Sequence, residues 1–385
     1  MRILHVVPSY LPAVRYGGPI YSVHALCRAL AERDHDVHVF TTNIDGPGHS
    51  DVPLNKPVVI DGVTVRYFDC GFGRRLYRSP AMRRTLATEA MAFDVLHLHS
   101  VFLWPTLAAA RAASNAQVPY VLAPRGMLVQ DLIRRKSRLL KTLWVALFER
   151  SNLSGAAAIH LTSALERIEF EKLNIRVRRI DVIANGVDVP TPPPATLSAI
   201  SRRPYVLSLG RINWKKGLDR LIAAMIHVPD TDLLIAGNDE ENYQPRLEAL
   251  VNDMKLSERV RFLGPVGDAD KWRLLRSASL FALPSYSENF GNAVLEAMAV
   301  GCPVVVTPEV GLASAIGGAG AGIVVDGEPG KLGPAMARLI SDPKCGAAMG
   351  VAGKNLAERD YSWAQIAAQA EQLYRDCRKE QPRCA

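Results

Sequence analysis

The sequence predicts an α/β protein built from two Rossmann-like domains, each a doubly wound parallel sheet. Short β-branched segments alternate with longer segments of helical periodicity, a proline-rich stretch interrupts this pattern near residue 190, and the alternation then begins again. The length of 385 residues also exceeds the usual size of one hydrophobic core. We therefore expect a first domain at residues 1–190, a linker at 191–203 and a second domain at 204–360.

The first domain opens with the apolar segment RILHVV (2–7), which predicts a buried strand. Segment 17–33 follows, and its Ile20, Val23, Leu26 and Leu30 recur at helical spacing. Further strands are predicted at 36–42, 63–68, 94–99, 120–124, 157–163 and 180–186. Strands that alternate with helices indicate parallel pairing through crossover connections.

The segment VPTPPPATLSAISRRP (189–204) predicts a linker, because so many prolines prevent a helix or a central strand. Strands of the second domain are predicted at 205–211, 232–237, 259–264, 280–285, 303–308 and 321–326. The last helical stretch, 361–385, can pack on either domain, including back on the first. Doubly wound domains bind nucleotides at the carboxyl ends of their strands.

The basic excess of the chain belongs entirely to its first half. Residues 1–200 hold 24 Lys+Arg and 16 Asp+Glu, and the remainder holds 22 of each, for a net charge of +8. This distribution fits a face turned toward membrane headgroups or a phosphorylated acceptor. Uneven surface charge without any partner explains it equally well. We expect no nucleic-acid partner.

The six cysteines contain no C-x-x-C pair and predict free cytosolic thiols, with neither a disulfide framework nor a zinc site. His5 and Pro8 interrupt the apolar N-terminus before a signal sequence could form. No apolar stretch approaches the roughly 18 residues that span a bilayer. These features predict a cytoplasmic protein, with peripheral attachment to the inner face of the membrane as the alternative.

A glycine-rich loop with two cations follows the first strand of the second domain. In GRINWKKG (210–217), Gly210 permits a tight turn, while Arg211 and Lys216 supply positive charge just before a helix. A strand, a loop and a helix with these residues suit a diphosphate. Taken alone, the motif is also compatible with an ordinary surface loop.

Two glutamates frame the start of a later helix in SENFGNAVLEAMAVG (287–301). Glu288 lies on the loop after a strand, where a sugar would sit, and Glu296 lies inside the helix, placed to accept hydrogen bonds from a ribose diol. The backbone N–H groups near Gly291 and Asn292 can hold phosphate oxygens. Without a ligand, Glu288 would be a solvated loop residue, and Glu296 would be a partly buried carboxylate paired with a nearby base.

Together these motifs resemble those of the retaining family 4 glycosyltransferases, whose GT-B fold places two Rossmann-like domains on either side of a central cleft. The resemblance spans nearly the whole chain. It includes a G-R-x-x-x-x-K-G loop, a pair of glutamates with seven residues between them (E-x7-E) and the segment E-A-M-A-x-G-x-P-V-V that begins at the second glutamate. YGGPIYSVHAL (16–26), DVLHLH (94–99) and VIANGVD (182–188) resemble segments of the family's first domain.

The resemblance implies a role for each matched residue. Arg211 and Lys216 neutralise the leaving diphosphate, Glu288 contacts the donor sugar and Glu296 binds the ribose. The donor site as a whole is implied to comprise Gly17, Gly18, Arg211, Lys216, Glu288, Asn289, Phe290, Gly291, Asn292 and Glu296. His99 faces the reaction, and the acceptor side holds His99, Arg125 and Gly126. Asn292 replaces a residue that is apolar in many members, so its side chain is expected to reach the donor sugar.

The implied activity is metal-independent transfer of a hexose-type sugar from UDP or GDP to a carbohydrate or lipid-linked acceptor, with retained configuration and without a cofactor. Bacterial exopolysaccharide or lipopolysaccharide synthesis is the expected setting. Two alternatives stay open: a nucleotide-sugar 2-epimerase of the same architecture, and a non-catalytic nucleotide-sugar-binding subunit. A dehydrogenase is disfavoured, because no G-x-G-x-x-G follows the first strand.

A basic amphipathic segment at 131–150 is a candidate for contact with an anionic membrane. A surface helix packed on the first domain is the alternative.

No metal site is expected. His97 and His99 point to one side of their strand, but they lack a third ligand, and His97 is interpreted as a hydrogen-bonded core residue. The three Asp-x-Asp triplets, at 34–36, 230–232 and 268–270, enter strands or begin a helix instead of following a strand into a cleft.

Overall fold

The computed structural model describes residues 1–14, 17–128, 144, 148–189, 201, 203–239 and 241–380. The chain divides into two compact units, one of Met1–Gly186 with Trp363–Ala385 and the other of Val187–Ser362. Most of the linker predicted at 191–203 and most of the basic segment at 131–150 lie outside the described residues.

The first unit contains an eight-stranded sheet in the order β10-β9-β8-β7-β1-β2-β6-β5. All neighbouring strands are parallel except β5, which pairs antiparallel with β6. A small hairpin, β3 with β4, lies outside this sheet. The strands are β1 Arg2–Val6, β2 Asp36–Thr42, β3 Ile44–Asp45, β4 Gly48–His49, β5 Pro57–Ile60, β6 Val63–Phe68, β7 Val95–His99, β8 Tyr120–Ala123, β9 Ala158–Leu161 and β10 Ile180–Val182.

Helices cover both faces of this sheet and produce two apolar cores, because every central strand is buried on both sides. The described helices of the first half are α1 Gly18–Ala31, α2 Pro80–Glu89, α3 Trp104–Asn115, α4 Arg150–Gly155 and α5 Ala164–Glu171. The order of the strands reverses between β1 and β7, so the connections after these two strands leave the sheet in opposite directions.

The C-terminal helix α13, Trp363–Lys379, returns to the first unit. Its Ile366, Leu373 and Tyr374 are buried in the same core as residues of α1. Arg33 also donates to Glu371 over 2.8 Å. Gly186 approaches this helix so closely that a Cβ there would lie 2.7 Å from the Trp363 ring.

The second unit contains a six-stranded, fully parallel sheet in the order β13-β12-β11-β14-β15-β16. Its strands are β11 Tyr205–Leu209, β12 Asp232–Ala236, β13 Val260–Gly264, β14 Leu280–Leu283, β15 Val304–Val306 and β16 Gly322–Val324. Its helices are α6 Leu218–Ala224, α7 Gln244–Asp253, α8 Asp268–Ser277, α9 Asn292–Ala299, α10 Ala313–Ala319, α11 Pro329–Ser341 and α12 Pro343–Asp360. Here the strand order reverses between β11 and β14.

The prediction of two doubly wound parallel-sheet domains is therefore confirmed. The predicted strands all occur: β2 and β6 have the predicted bounds, and the others are shorter, most of all β10, which ends at Val182 instead of residue 186. Strands β3, β4 and β5 were not predicted. They are short, polar or at the edge of the sheet, where the pattern of buried residues is weak. No helix of the described residues is long and apolar enough to cross a bilayer.

Candidate functional site

The two loops that leave β11 and β14 form the candidate site of the second unit. β11 and β14 are neighbours in the sheet, and both loops begin at its carboxyl edge. The first loop carries Gly210, Arg211 and Lys216, and the second carries Glu288. In doubly wound sheets, this reversal point is where ligands bind.

Three glycines allow the backbone to close tightly around the first loop. Gly237, at the end of β12, has φ 150°, and a Cβ there would lie 1.8 Å from the carbonyl oxygen of Gly210. Gly217 has φ 63°, and its Cβ would lie 2.0 Å from the carbonyl oxygen of Pro284. Gly210 itself has φ 146°. No other residue type fits at Gly217 or Gly237, so glycine is required for the loops to meet.

Lys216 and Glu288 form an ion pair between the two loops. Their side chains are only 17% and 19% exposed, so the pair is largely shielded from water. The Tyr286 N–H also donates to the Lys215 carbonyl over 2.7 Å, which joins the loops through the backbone. Glu288 is therefore a partly buried member of an ion pair and not a solvated loop residue. Arg211 is an exposed residue of the first loop.

A third segment fixes the backbone of Glu288. Its N–H donates to the Glu309 carbonyl over 3.0 Å, and its carbonyl accepts from the Gly311 N–H over 3.0 Å. A Cβ on Gly311 would lie 2.1 Å from the Asn289 carbonyl oxygen. Two hydrogen bonds and this close approach fix the backbone of Glu288, and the ion pair with Lys216 holds its carboxylate.

Helix α9 begins directly after this carboxylate. Gly291, with φ 103°, is the residue before its first turn, and Asn292 is the first helical residue. Phe290 and Gly291 are buried, whereas Asn289 and Asn292 are half-buried. The N–H groups of a first helical turn carry partial positive charge and suit an anionic ligand.

Glu296 is paired with Lys271 of α8 at 2.9 Å, and Lys271 also contacts Asp268 at 2.9 Å. Burial raises the pKa of Glu296 despite this cation. For Lys271, burial lowers the pKa, but the carboxylates of Glu296 and Asp268 outweigh it, and the net shift is upward. The structure thus shows the paired carboxylate that the sequence analysis gave as the alternative to a ribose ligand, and the ribose role stays a prediction.

In the first unit, the corresponding reversal point lies between β1 and β7. Gly17 has φ 69° and immediately precedes helix α1, which begins at Gly18. Both glycines are half-buried. His99 ends β7, but its side chain is buried, and the residue is only 2% exposed.

Both ring nitrogens of His99 are engaged inside the protein. Arg125 approaches His99 Nδ1 through Nε at 3.4 Å and Nη2 at 3.3 Å, so Nδ1 is the acceptor. His99 Nε2 therefore carries the proton and donates to His5 Nδ1 over 3.0 Å. His5 must then carry its own proton on Nε2, which is buried and has no hydrogen-bond partner among the described residues.

A second chain of hydrogen bonds runs through His97. His160 Nε2 donates to the Ile183 carbonyl over 2.8 Å, which leaves His160 Nδ1 to accept from His97 Nε2 over 3.1 Å. His97 Nδ1 then accepts from the hydroxyl of Tyr374 over 2.7 Å. The interpretation of His97 as a hydrogen-bonded core residue is confirmed.

Burial keeps these histidines neutral. It lowers the pKa of His5 and of His160 to about 3, and the nearby Arg125 guanidinium acts in the same direction. The pKa values of His97 and His99 are also lowered well below their ordinary value, chiefly by burial.

His5 supplies the third ring that the sequence analysis did not find beside His97 and His99. One nitrogen of each ring lies within 4.8 Å of the others, a spacing that a metal ion could use. However, both nitrogens of His97 and of His99 already have partners, and the Arg125 guanidinium repels a cation. A metal would replace these hydrogen bonds, so the set is better suited to its present network, and the expectation of no metal stays a prediction.

Glu166 organises the predicted acceptor side. Its carboxylate accepts from the Gly126 N–H over 2.6 Å and from the Thr162 N–H over 2.7 Å. Arg125, with φ 55°, donates to the Asn185 side chain over 2.8 Å. Arg125, Gly126 and His99 thus lie in one hydrogen-bonded region of the first unit.

Sequence reasoning missed the partners of several site residues. Glu166 had a detectable signal, because Ser163 and Glu166 form the S-x-x-E pattern of a helix start, and Ser163 does accept from the Glu166 N–H. The partners without a local signal are Lys271, His160, Tyr374 and His5. Each reaches the site from a separate helix or strand.

Comparison with known proteins agrees with this architecture. Residues 17–186 match the glycosyl transferase 4-like domain, and residues 196–356 match glycosyl transferases group 1. A D-inositol 3-phosphate glycosyltransferase of Mycobacterium sp. (strain KMS) is 36% identical over 193 residues, which are 47% of this chain and 44% of that protein. The matched segment thus spans less than half the length of that relative.

Two solved structures share the fold along almost the whole chain. Sucrose-phosphate synthase from Thermosynechococcus elongatus gives a TM-score of 0.78 at 22% identity and covers 98% of this chain and 99% of its own. Anabaena HepE in complex with UDP and glucose gives a TM-score of 0.73 at 20% identity, and the match covers 98% of this chain and 100% of HepE.

The two doubly wound sheets and these neighbours define a protein of the GT-B fold. Both halves match glycosyltransferase domain models, and together the matches extend over most of the chain. The chain thus consists of a glycosyl transferase 4-like domain followed by a domain of the glycosyl transferases group 1.

Proposed function

We propose that this chain is a retaining glycosyltransferase that moves a hexose from a UDP- or GDP-sugar to a hydroxyl of a carbohydrate or lipid-linked acceptor. The observation that carries the proposal is the Lys216–Glu288 ion pair at the reversal point of the second sheet. It presents a cation for a diphosphate beside a carboxylate for sugar hydroxyls. The fold shared with HepE, which was solved with UDP and glucose, supports the same class of donor.

Donor binding would exchange the partners of this pair. The diphosphate would take the place of Glu288 on Lys216, with Arg211 and the first turn of α9 as further positive groups. Glu288 would then accept hydrogen bonds from the sugar. Because Lys216 and Glu288 are largely shielded from water, these interactions act in a region of lower dielectric than solvent.

The chemical step breaks the bond between the anomeric carbon and the phosphate oxygen, and the diphosphate leaves with the electron pair. The acceptor oxygen forms its bond on the same face of the sugar, and the departing phosphate oxygen receives the hydroxyl proton. Positive groups around the diphosphate stabilise the charge that builds there, without a divalent ion. Because Glu288 is assigned to the sugar hydroxyls, this front-side path is preferred over a covalent sugar–carboxylate intermediate.

The acceptor side is assigned to the region of His99, Arg125 and Gly126 in the first unit. His99 donates to His5 and accepts from Arg125 in this structure, so a direct role toward the substrate requires it to change partners. The basic excess of residues 1–200 favours an acceptor that carries phosphate. The name of the mycobacterial relative, which cites an inositol phosphate, agrees with this preference. Free thiols at the five described cysteines fit a cytoplasmic reaction, and bacterial surface-glycan synthesis is the proposed setting.

The test is release of nucleoside diphosphate from a panel of UDP- and GDP-hexoses, with and without glycan, sugar-phosphate and polyprenyl-linked acceptors. A new glycoside with retained configuration, formed by the wild-type chain and abolished in Glu288→Gln, is the expected result. Glu328→Gln, at a solvent-exposed ion pair of the same unit, is the matched control and should leave turnover unchanged.

Two outcomes would overturn the proposal. Conversion of the donor alone into a different nucleotide sugar would identify an epimerase. Tight donor binding without turnover toward any acceptor class would identify a binding subunit.

A further inference from the structure

An aromatic side chain projects into solvent from the connection between β6 and α2. Phe72 is 92% exposed, more than any other large hydrophobic residue among those described, and Leu76 in the same connection is 40% exposed. A phenylalanine in water forgoes the burial that normally stabilises it. Exposed apolar side chains that lie in one segment and are rimmed by polar residues can form an interaction site, whereas a single one needs no explanation.

The loop around Phe72 is fixed by hydrogen bonds to the β3–β4 hairpin and by one within its own turn. Arg74 Nη2 donates to the Gly46 carbonyl over 2.9 Å, and Arg74 Nη1 lies 3.0 Å from His49 Nε2. Gly73 has φ 88°, which turns the chain just after Phe72. The Leu76 N–H donates to the Gly73 carbonyl over 2.9 Å. Phe72 is thus presented by a fixed turn.

The segment that follows Asp69 and carries this side chain is rich in positive charge. Residues 70–88 contain five arginines and no Asp or Glu. Arg74 is used within the loop, whereas Arg75, Arg78, Arg83 and Arg84 are exposed. Among the described residues, none of these four forms a salt bridge. We call Phe72, Arg75, Leu76, Arg78, Arg83 and Arg84 the Phe72 surface.

We propose that the Phe72 surface docks on an anionic lipid bilayer. Phe72 and Leu76 enter the interface between headgroups and acyl chains, while the arginine guanidinium groups bind lipid phosphates. Apolar side chains together with arginines favour a lipid over a soluble polyanion. Leu76 is stabilised by transfer into an apolar medium, but it forms no favourable interaction with a phosphate. The N-terminus of α2, capped by Ser79, follows Arg78 directly in the chain and carries partial positive charge.

The position of the loop makes this docking relevant to the acceptor side of the same unit. The loop leaves β6 at the carboxyl edge of the sheet, and His99 ends parallel strand β7 at that edge. A bilayer bound to the Phe72 surface would approach the edge where an acceptor is expected. The inference itself does not depend on the proposed reaction, since lipid binding needs neither donor nor acceptor.

The experiment is co-sedimentation of the full chain with vesicles of equal parts phosphatidylcholine and phosphatidylglycerol, compared with phosphatidylcholine alone. We expect binding to the anionic vesicles, weakened by salt. The double variant Arg75→Glu/Arg78→Glu should lower the partition coefficient at least tenfold. Each basic residue lost from an anionic surface weakens binding by about fivefold, and this variant removes two. Phe72→Ser should lower it severalfold without changing the net charge.

Two control variants match these changes elsewhere in the same unit. Met91→Ser removes another large apolar side chain that is mostly exposed (76%), beyond the far end of α2. Arg176→Glu with Arg178→Glu makes the same change in charge at an exposed segment before β10. Both controls should bind anionic vesicles like the wild type, and all variants should keep the wild-type melting temperature.

Three results would overturn the inference: equal binding to both kinds of vesicle, equal losses in the test and control variants, or vesicle binding that persists in Phe72→Ser and Arg75→Glu/Arg78→Glu. Tighter binding of a single-stranded oligonucleotide than of anionic vesicles, lost in the same variants, would assign the surface to nucleic acid instead.

Discussion

The ammonium of Lys216 and the carboxylate of Glu288 form an ion pair although 72 positions separate them in the chain. They meet because β11 and β14 are neighbours at the reversal point of the sheet. Backbone hydrogen bonds from Tyr286 to Lys215 and from Glu288 to Glu309 hold the loops in place. A ligand with a diphosphate and a sugar would find both complementary groups already in place.

Removal of Lys216 should affect catalysis far more than folding. We expect Lys216→Met to lower kcat/KM for the sugar nucleotide by about 10²–10³-fold, because it deletes a cation that stabilises the leaving group. The unfolding free energy should fall by about 1–3 kcal/mol, because the variant leaves the largely shielded Glu288 carboxylate without its cation. Steady-state kinetics and urea unfolding measure the two effects. Lys331→Met, at an exposed pair of the same unit, should change neither, and a loss of activity there would contradict the assignment.

The affinity for a nucleoside diphosphate distinguishes the two roles considered for Glu296. A ribose hydroxyl bound to this carboxylate implies a 10–100-fold weaker Kd for UDP or GDP in Glu296→Gln, as for other charged hydrogen bonds of about 1.5–3 kcal/mol. If Glu296 only pairs with Lys271, the variant should unfold more easily but bind the nucleotide normally. Isothermal titration calorimetry decides between these two roles. The matched control is Glu248→Gln on α7, where Glu248 accepts a hydrogen bond from Gln244.

The buried histidines should make the first unit sensitive to acid. Burial lowers the pKa of His5 and His160 to about 3, so below pH 6.5 the unfolded chain binds protons that the folded chain does not. Their contribution to stability is therefore present above about pH 6.5 and is lost as the pH falls toward 3. Each histidine should contribute a slope of about 1.4 kcal/mol per pH unit in this window. Unfolding followed between pH 7 and pH 4.5 should show a shallower slope in His160→Asn than in the wild type. Equal slopes would mean that His160 is not buried as a neutral ring.

Gly237 should tolerate no side chain. Gly237→Ala combines a backbone at φ 150° with a Cβ that would lie 1.8 Å from the Gly210 carbonyl oxygen. We expect a loss of ~3 kcal/mol or more in the unfolding free energy, together with loss of donor binding. Gly330→Ala is the control, because no atom lies within 4 Å of its Cβ. Since alanine favours a helix, this control should be neutral or slightly stabilising, and comparable damage in both variants would contradict the structure.

Transfer activity should not depend on a divalent ion. The positive groups at the diphosphate site are side chains and helix N–H groups, and His97 and His99 are occupied by hydrogen bonds. We expect unchanged turnover after treatment with EDTA and no gain on addition of Mg²⁺ or Mn²⁺. A rate that falls with EDTA and returns with one ion would show that a metal takes part.

Much of the fold was predictable because the signal was local. Buried parallel strands appear as short β-branched runs such as 94–99 and 232–237, and their alternation with helices specifies parallel sheets. The loop glycines at 210 and 217 and the glutamates at 288 and 296 were likewise visible as motifs. Their resemblance to a known family predicted which loops form the site.

The charge partners of the site could not be predicted in the same way. The alternative of a nearby base was foreseen for Glu296, but nothing in its neighbourhood identifies Lys271, 25 residues earlier in the chain. Tyr374 is 277 residues from His97, and only the return of α13 to the first unit brings them together. His99 was expected to face the reaction. Its burial depends on the packing of β1 and Arg125 against it, which no local pattern in the sequence predicts.

The sequence by itself determined the class of fold, the position of the glycines and the residues that carry charge at the site. These properties depend on side-chain chemistry and on periodicity within single segments. Tertiary structure alone decided which charges meet, which histidines stay neutral and which apolar side chain remains outside. Such outcomes depend on desolvation and on distances between segments far apart in the chain, and both are set by how the strands order in the sheet.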